Sequence, residues 1–143
     1  MKNEYTGFYQ GVRAVLQQKA QFRGIVGPVS EVMNVPAEYT VAIETALGNQ
    51  VQNVVVDTDQ TAKSIIEYLK KNRLGRVTFL PKNALSQRSI REDTLQKVKE
   101  MPGFVGVAAD LVKVKDDNQV ISQYLLGTTL IVDTLQNLSL IHI

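Results

Sequence analysis

The feature that most constrains this chain is a repeat inside it. Gly24-Ile25-Val26-Gly27 is echoed by Gly103-Phe104-Val105-Gly106 at an offset of 79 residues, and Leu47-Gly48 by Leu126-Gly127 at the same offset. Val54-Val55-Val56-Asp57-Thr58 is echoed by Leu130-Ile131-Val132-Asp133-Thr134 at an offset of 76, so three residues are lost after the glycine. Ordered echoes of this kind predict two copies of one unit. Each copy runs as a glycine-bounded strand, a helix with a glycine stop, a second strand, and an Asp-Thr helix start. In the first copy a full helix and a further strand follow Asp57-Thr58. Nothing equivalent follows Asp133-Thr134, so the second copy is expected to be incomplete.

The element signals fill in each copy. Val12, Val15, Leu16 and Lys19 set a helical rhythm over the first twenty or so residues, and Gly24 to Val29 reads as strand and turn. Pro36 to Leu47 is predicted as a helix, with Tyr39, Ala42, Ile43, Ala46 and Leu47 on one face and Gly48 as its stop. Val51 to Val56 reads as a buried strand, with Asp57 and Gln60 placed as a capping box for the next helix. Ala62, Ile65, Ile66 and Leu69 stripe that helix, which is expected to close at Gly75. Arg76 to Leu80 reads as a strand stopped by Pro81, and strand, helix, strand implies a crossover with parallel pairing.

Lys82 to Met101 is expected to be helical or irregular, with a loop at Ser86 to Ser89. Gly103 to Val114 is predicted as strand, and Asp116 to Leu126 as a helix turning Val120, Ile121, Tyr124 and Leu125 inward. Leu130 to Val132 is a strand, and Asp57 and Asp133 read as helix caps. The fold class is therefore mixed α/β, with two pseudo-symmetric lobes of small sheets flanked by helices. Leu138-Ser139-Leu140-Ile141-His142-Ile143 abandons the preceding pattern. It can be written in codons as CTG-TCT-CTT-ATA-CAC-ATC, which resembles a transposon-end adaptor, so residues 138–143 are expected to be a non-native tail on a truncated fragment. His142, the chain's only histidine, lies there, which argues against a catalytic or metal role.

Composition excludes several classes. With no cysteine among 143 residues, neither a disulfide framework nor a zinc–cysteine site is possible. No apolar run reaches the length of about 18 residues needed by a membrane helix, and Met1 to Tyr5 lacks a signal-peptide core. The expectation is a cytoplasmic domain with no membrane partner. Charge is unevenly spread. Gly24 to Ala62 carries five acids and no Lys or Arg, whereas Lys63 to Lys99 carries ten basic residues against three acids, a local net of +7. Such a segment attracts polyanions.

Taken together, the stretches from about Gly11 to Asn137 resemble the hinge domain of bacterial SMC (structural maintenance of chromosomes) proteins. The resemblance rests on Gly24 to Glu31, Ala42 to Gly48 with Val51 to Val56, Tyr68-Leu69-Lys70, Gly75 to Pro81, Gly103 to Val112, and Leu125-Leu126-Gly127. It implies a nucleoid-associated dimerisation module in which lobe one of one subunit pairs with lobe two of its partner. Residues 1–22 would then end a coiled-coil arm, 23–102 would form lobe one with a basic linker, and 103–137 would begin lobe two. It also implies weak, sequence-independent DNA contact, for which Lys70, Lys71, Arg73, Arg76, Lys82, Arg88 and Arg91 are the candidates. Gly24, Gly27, Gly48, Gly103, Gly106 and Gly127 read as turns, close-packing points or interface glycines. ATP, magnesium and kleisin-type partners are expected only at head domains outside this segment, and no catalytic or metal residue is assigned.

The residues themselves give no competing chemistry. There is no Gly-x-x-x-x-Gly-Lys-Ser/Thr phosphate loop and no Gly-x-Gly-x-x-Gly fingerprint. Gly24-x-x-Gly27 lacks the flanking pattern of a nucleic-acid clamp. Carboxylates such as Glu44 and Asp110 have no partner histidine to suggest acid–base work. The rival reading is a small α/β nucleotide-binding or enzymatic domain with an unrecognised site.

Overall fold

A computed structural model describes residues 8–133 and 138–142. The chain divides into two compact units, one made of residues 1–32 and 49–85, the other of 33–48 and 86–143. The units are therefore not consecutive stretches. Met33 to Gly48, expected in lobe one, groups with the chain from Ser86 onward.

The first unit opens with α1 (Gln10–Gln17), whose Val12, Val15 and Leu16 are buried. A three-stranded sheet follows, built from β1 (Ile25–Pro28), β2 (Val54–Val56) and β3 (Phe79–Pro81) in that spatial order. β1 runs antiparallel to β2 with a register shift between Ile25 and Gly27, while β3 lies parallel to β2. The crossover between β2 and β3 is α4 (Asp59–Asn72). Its Ala62, Ile65 and Leu69 pack with Val12, Val15, Leu16, Ile25, Val54 and Val56 into one apolar cluster. Ile66, expected in that stripe, faces outward. Phe22 and Tyr68 extend the cluster edge to face, with ring centroids 5.6 Å apart. The short α2 (Val29–Val32) follows β1 directly and buries Val29.

In the second unit, α3 (Thr40–Leu47) buries Ala42, Ile43 and Leu47 and ends on Gly48 at φ 57°. The linker holds α5 (Glu92–Lys99). β4 (Phe104–Val107), β5 (Thr129–Asp133) and β6 (Leu138–His142) form the sheet in that order, all neighbours antiparallel. α6 (Ala108–Leu111) and α7 (Gln119–Leu126) lie between β4 and β5 in the chain.

The repeat survives in backbone detail. β1 meets β2 through Ile25–Val56, Gly27–Val55 and Pro28–Val54, and β4 meets β5 through Phe104–Val132, Gly106–Ile131 and Val107–Leu130. Every pair maps onto its counterpart by the offsets 79 and 76, and both ladders shift register at the same place. α2 maps onto α6, and α3 onto α7, at 79. Within the second unit, Asn34 and Lys113, themselves equivalent, pair antiparallel: each N–H donates to the other's carbonyl, at 2.7 and 2.8 Å.

Several expected boundaries move. Val51 and Gln52 form 3-10 helix rather than strand. Arg76 to Thr78 lies before the strand, although Thr78 O already accepts from Val54 N–H at 3.0 Å, and Pro81 ends β3 instead of preventing it, because its missing N–H faces no ladder partner that β2 supplies. Ala108 to Leu111 is a helical turn, not strand. α7 turns Ile121, Ser122 and Leu126 inward, about one position round from the expected face, and Ser122 satisfies its hydroxyl on the Gln119 carbonyl at 3.0 Å. α4 stops at Asn72, with Arg73 and not Gly75 as its cap.

Asp133 closes β5 and its N–H donates to Gly103 O at 2.6 Å. The expected start of a further helix falls on residues 134–137, outside the described residues. Leu138 to His142, part of the expected non-native segment 138–143, pairs with β5 over five positions from Thr129–His142 to Asp133–Leu138. It fills the place beside β5 that β3 fills beside β2, running the opposite way.

Candidate nucleic-acid and dimer interface

The basic candidates divide between the two units. Lys70 and Lys71 form the last turn of α4, where cations oppose the negative end of the helix dipole. Arg73 caps that helix at φ 53°, ψ 48°, a left-handed conformation usually left to glycine. Among the described residues it is the one non-glycine at positive φ. Arg76 lies shortly before β3, and Lys70, Lys71, Arg73 and Arg76 are all exposed. Lys82 follows β3, half-buried, its N–H donating to Val56 O at 2.9 Å.

Two of the seven sit in the second unit and are already engaged. The Arg88 guanidinium lies 4.2 Å from the Tyr124 ring centroid, a cation–π contact. Its carbonyl accepts from Gln123 Nε2 at 2.6 Å. Arg91 pairs with Asp93 at 3.2 Å, exposed on both sides. Such a pair contributes little to stability. The sequence missed the Arg88–Tyr124 stack because the partners are far apart in the chain and no short-range pattern links them.

The glycines have local explanations. Gly24 O accepts from Asp57 N–H at 2.8 Å, as Gly103 O does from Asp133 N–H, so the Gly–Asp pair of each repeat closes its first ladder. A Cβ at Gly24 would meet the Asp57 carboxylate and the Thr61 hydroxyl, and one at Gly103 the Asp133 carbonyl. Gly27 and Gly106 stand at the two register shifts. Gly48 ends α3 with open space around it. At Gly127 a side chain would strike the Arg88 and Gln123 carbonyls, so this glycine admits the linker onto α7.

The Asp57–Thr58 signal is real but its roles are exchanged. Thr58, not Asp57, is the cap: its Oγ1 accepts from Thr61 N–H at 3.2 Å. Asp57 Oδ1 accepts from Thr58 N–H at 2.7 Å and from the Thr61 hydroxyl at 2.6 Å. Those hydrogen bonds, Thr61 first, hold its carboxyl below the ordinary value. Asp59 N–H donates to Asn83 Oδ1 at 3.0 Å and Asn83 Nδ2 returns a bond to Asp59 Oδ1 at 3.1 Å, which lowers the Asp59 pKa and ties the start of α4 to the end of β3.

His142 Nδ1 lies 2.8 Å from the Thr129 hydroxyl, across the β5–β6 pair. Among the described residues no three His, Cys, Asp or Glu side chains gather as a metal site, and no helix is long and apolar enough to cross a membrane.

Known proteins carry the same arrangement. The family model described as "SMC proteins Flexible Hinge Domain" matches residues 22–137. The chromosome partition protein Smc of Lactiplantibacillus plantarum is 48% identical over 137 residues, covering 96% of this chain and 12% of that protein. Its Bacillus subtilis counterpart is 40% identical over 136 residues, covering 95% and 12%. The chain thus spans about an eighth of the relatives it matches. Among solved structures, an asymmetric dimer of the Geobacillus stearothermophilus SMC hinge domain matches with TM-score 0.90 and 39% identity over 93% of this chain and 53% of that one. The Pyrococcus furiosus SMC hinge domain matches with TM-score 0.66 and 28% identity over 95% and 76%. A paired strand ladder repeated at fixed offsets, on a sequence that matches the hinge model nearly throughout, leads to one conclusion: this chain belongs to the SMC flexible hinge family.

Proposed function

We propose that this chain is the hinge module through which a chromosome partition protein dimerises, and that the basic end of α4 gives it weak, sequence-independent contact with DNA. The observation that carries the first part is the close match to a hinge solved as a dimer, at TM-score 0.90. Unpaired main-chain edges suit it, since an open strand edge templates another chain. β1 and β3 are the edge strands of one sheet, β4 and β6 of the other. Lobe-one edges of one subunit then continue into lobe-two edges of its partner.

Light scattering on the hinge within its parent protein tests this: the expected mass is that of two chains, and a persistent monomer at micromolar concentration overturns it. DNA contact is supported by the four exposed cations at Lys70, Lys71, Arg73 and Arg76. Charge reversal of all four is expected to abolish retention of DNA at low salt; unchanged retention removes the claim. Binding of this kind weakens steeply with salt, because released counterions drive it. ATP turnover, magnesium and kleisin partners belong, on this proposal, to other parts of the parent.

A further inference from the structure

One residue of the linker is held by the second unit in three ways. The Arg88 guanidinium stands over the Tyr124 ring, 4.2 Å from its centroid. The Arg88 carbonyl accepts from Gln123 Nε2 at 2.6 Å and lies against Gly127, where a Cβ would strike it. Gln123 and Tyr124 belong to α7, and Gly127 caps its end. On either side of Arg88 the chain is held less: Ser86, Gln87 and Ser89 are exposed and lie in no helix or strand. Among the described residues, the nearest main-chain bonds are those of Ala84 N–H to Pro81 O and of Leu95 N–H to Arg91 O.

The repeat supplies an internal control. At the offset of 79, Gln123, Tyr124 and Gly127 correspond to Glu44, Thr45 and Gly48. Gly48 turns at φ 57°, where glycine is favoured, and nothing approaches the place of a side chain. Gly127 has φ −67°, which any residue adopts, so its backbone requires no glycine. The close approach of the Arg88 and Gln123 carbonyls does. Ring, amide and glycine therefore form a seat that α7 has and α3 lacks.

We infer that this seat is a latch: Arg88 docked on α7 straps the linker down, and its release frees residues 85–90 while the core beneath stays folded. Each contact is modest, one being a surface cation–π pair and the other a hydrogen bond between neutral groups. Gln123 and Tyr124 are half-buried, whereas the core side of α7 is Ile121, Ser122 and Leu126. Opening therefore breaks contacts at the rim and none in the core, which places it among the low-energy local openings of a native protein. Closed, the latch withdraws the Arg88 guanidinium from the basic segment; open, it returns that cation to solvent.

Trypsin reads the opening directly, because cleavage after Arg88 requires its side chain to leave the ring and its carbonyl to leave Gln123. The full chain is digested briefly under native conditions, and the rate at Arg88–Ser89 is divided by that of the same chain unfolded in urea. When opening is fast relative to cleavage, this ratio follows the open fraction. Tyr124→Leu and Gln123→Leu should each raise it about fivefold, with the normalised rate after Arg91 and the thermal midpoint unchanged. Arg88→Lys keeps a trypsin site, leaves α7 untouched and stacks less well, so it too should raise the ratio. That variant carries the test if either α7 variant loses the parent's circular dichroism. An unchanged ratio at position 88 in the folded variants overturns the latch. A rise shared by every cleavage site means general loosening of the chain and overturns it as well.

Discussion

Single residues carry conflicts that the pattern of the whole does not reveal. Arg73 occupies a left-handed cap at φ 53°, a position where a Cβ costs about 1 kcal/mol. Replacing it with glycine should therefore stabilise the chain by about 0.5–1 kcal/mol in urea unfolding while weakening low-salt DNA retention. Arg73→Ala, which keeps the Cβ, should show the second effect without the first. Asp57 and Asp59 make the opposite kind of residue-scale statement. Their carboxyls are held below the ordinary 3.8, chiefly by Thr61 and Asn83. A lowered folded-state value means the folded chain binds fewer protons, so this contribution is complete above the ordinary value and is lost as pH falls through the folded one. Urea midpoints measured between about pH 5 and pH 3 should fall, and Thr61→Val with Asn83→Ala should flatten that fall. A Cβ at Gly24, Gly103 or Gly127 would meet close neighbours, whereas Gly48 has open space around it; the neighbour at Gly127 could not be named from the sequence, because the Arg88 carbonyl lies far away in the chain.

At the scale of elements, periodicity gave type well and edges poorly. Ala62, Ile65 and Leu69 were readable as the buried stripe of α4, since a helical period needs no knowledge of the partner surface. Its outer margin was not readable: Ile66 is as apolar as Ile65 but stays exposed. The face of α7 was misread for a related reason, as Ser122 is buried by bonding back to Gln119 and so hides its inward position behind a polar side chain. Asp57 and Thr58 are both good caps by type, and only geometry separates them. Thr58→Ala should therefore cost about 1 kcal/mol of stability, the usual loss of an N-cap, measured by thermal or urea unfolding. Asp57→Ala should act mainly on the acid limb described above. The basic candidates were legible as a charged segment, but the contacts of Arg88 with Tyr124 and of Arg91 with Asp93 were not, since neither partner declares itself in the sequence.

For the whole molecule, two sheets built on one plan were foreseeable from the offsets 79 and 76, and the ladders obey them pair by pair. What could not be foreseen is how Met33 to Gly48 groups, because a repeat fixes the likeness of two segments and says nothing about where each finds its packing. Nor did the sequence disclose that Leu138 to His142 would lie beside β5. That placement has a kinetic consequence. Four residues separate β5 from β6, whereas β3 reaches β2 only after the whole of α4 has been traversed. Closing a short loop costs less chain entropy and occurs sooner than a long crossover. Pulse-labelled hydrogen exchange during refolding should accordingly find the amides of Leu130 and Val132 protected before those of β3. Simultaneous protection would mean that the two sheets, alike in plan, also fold as one event.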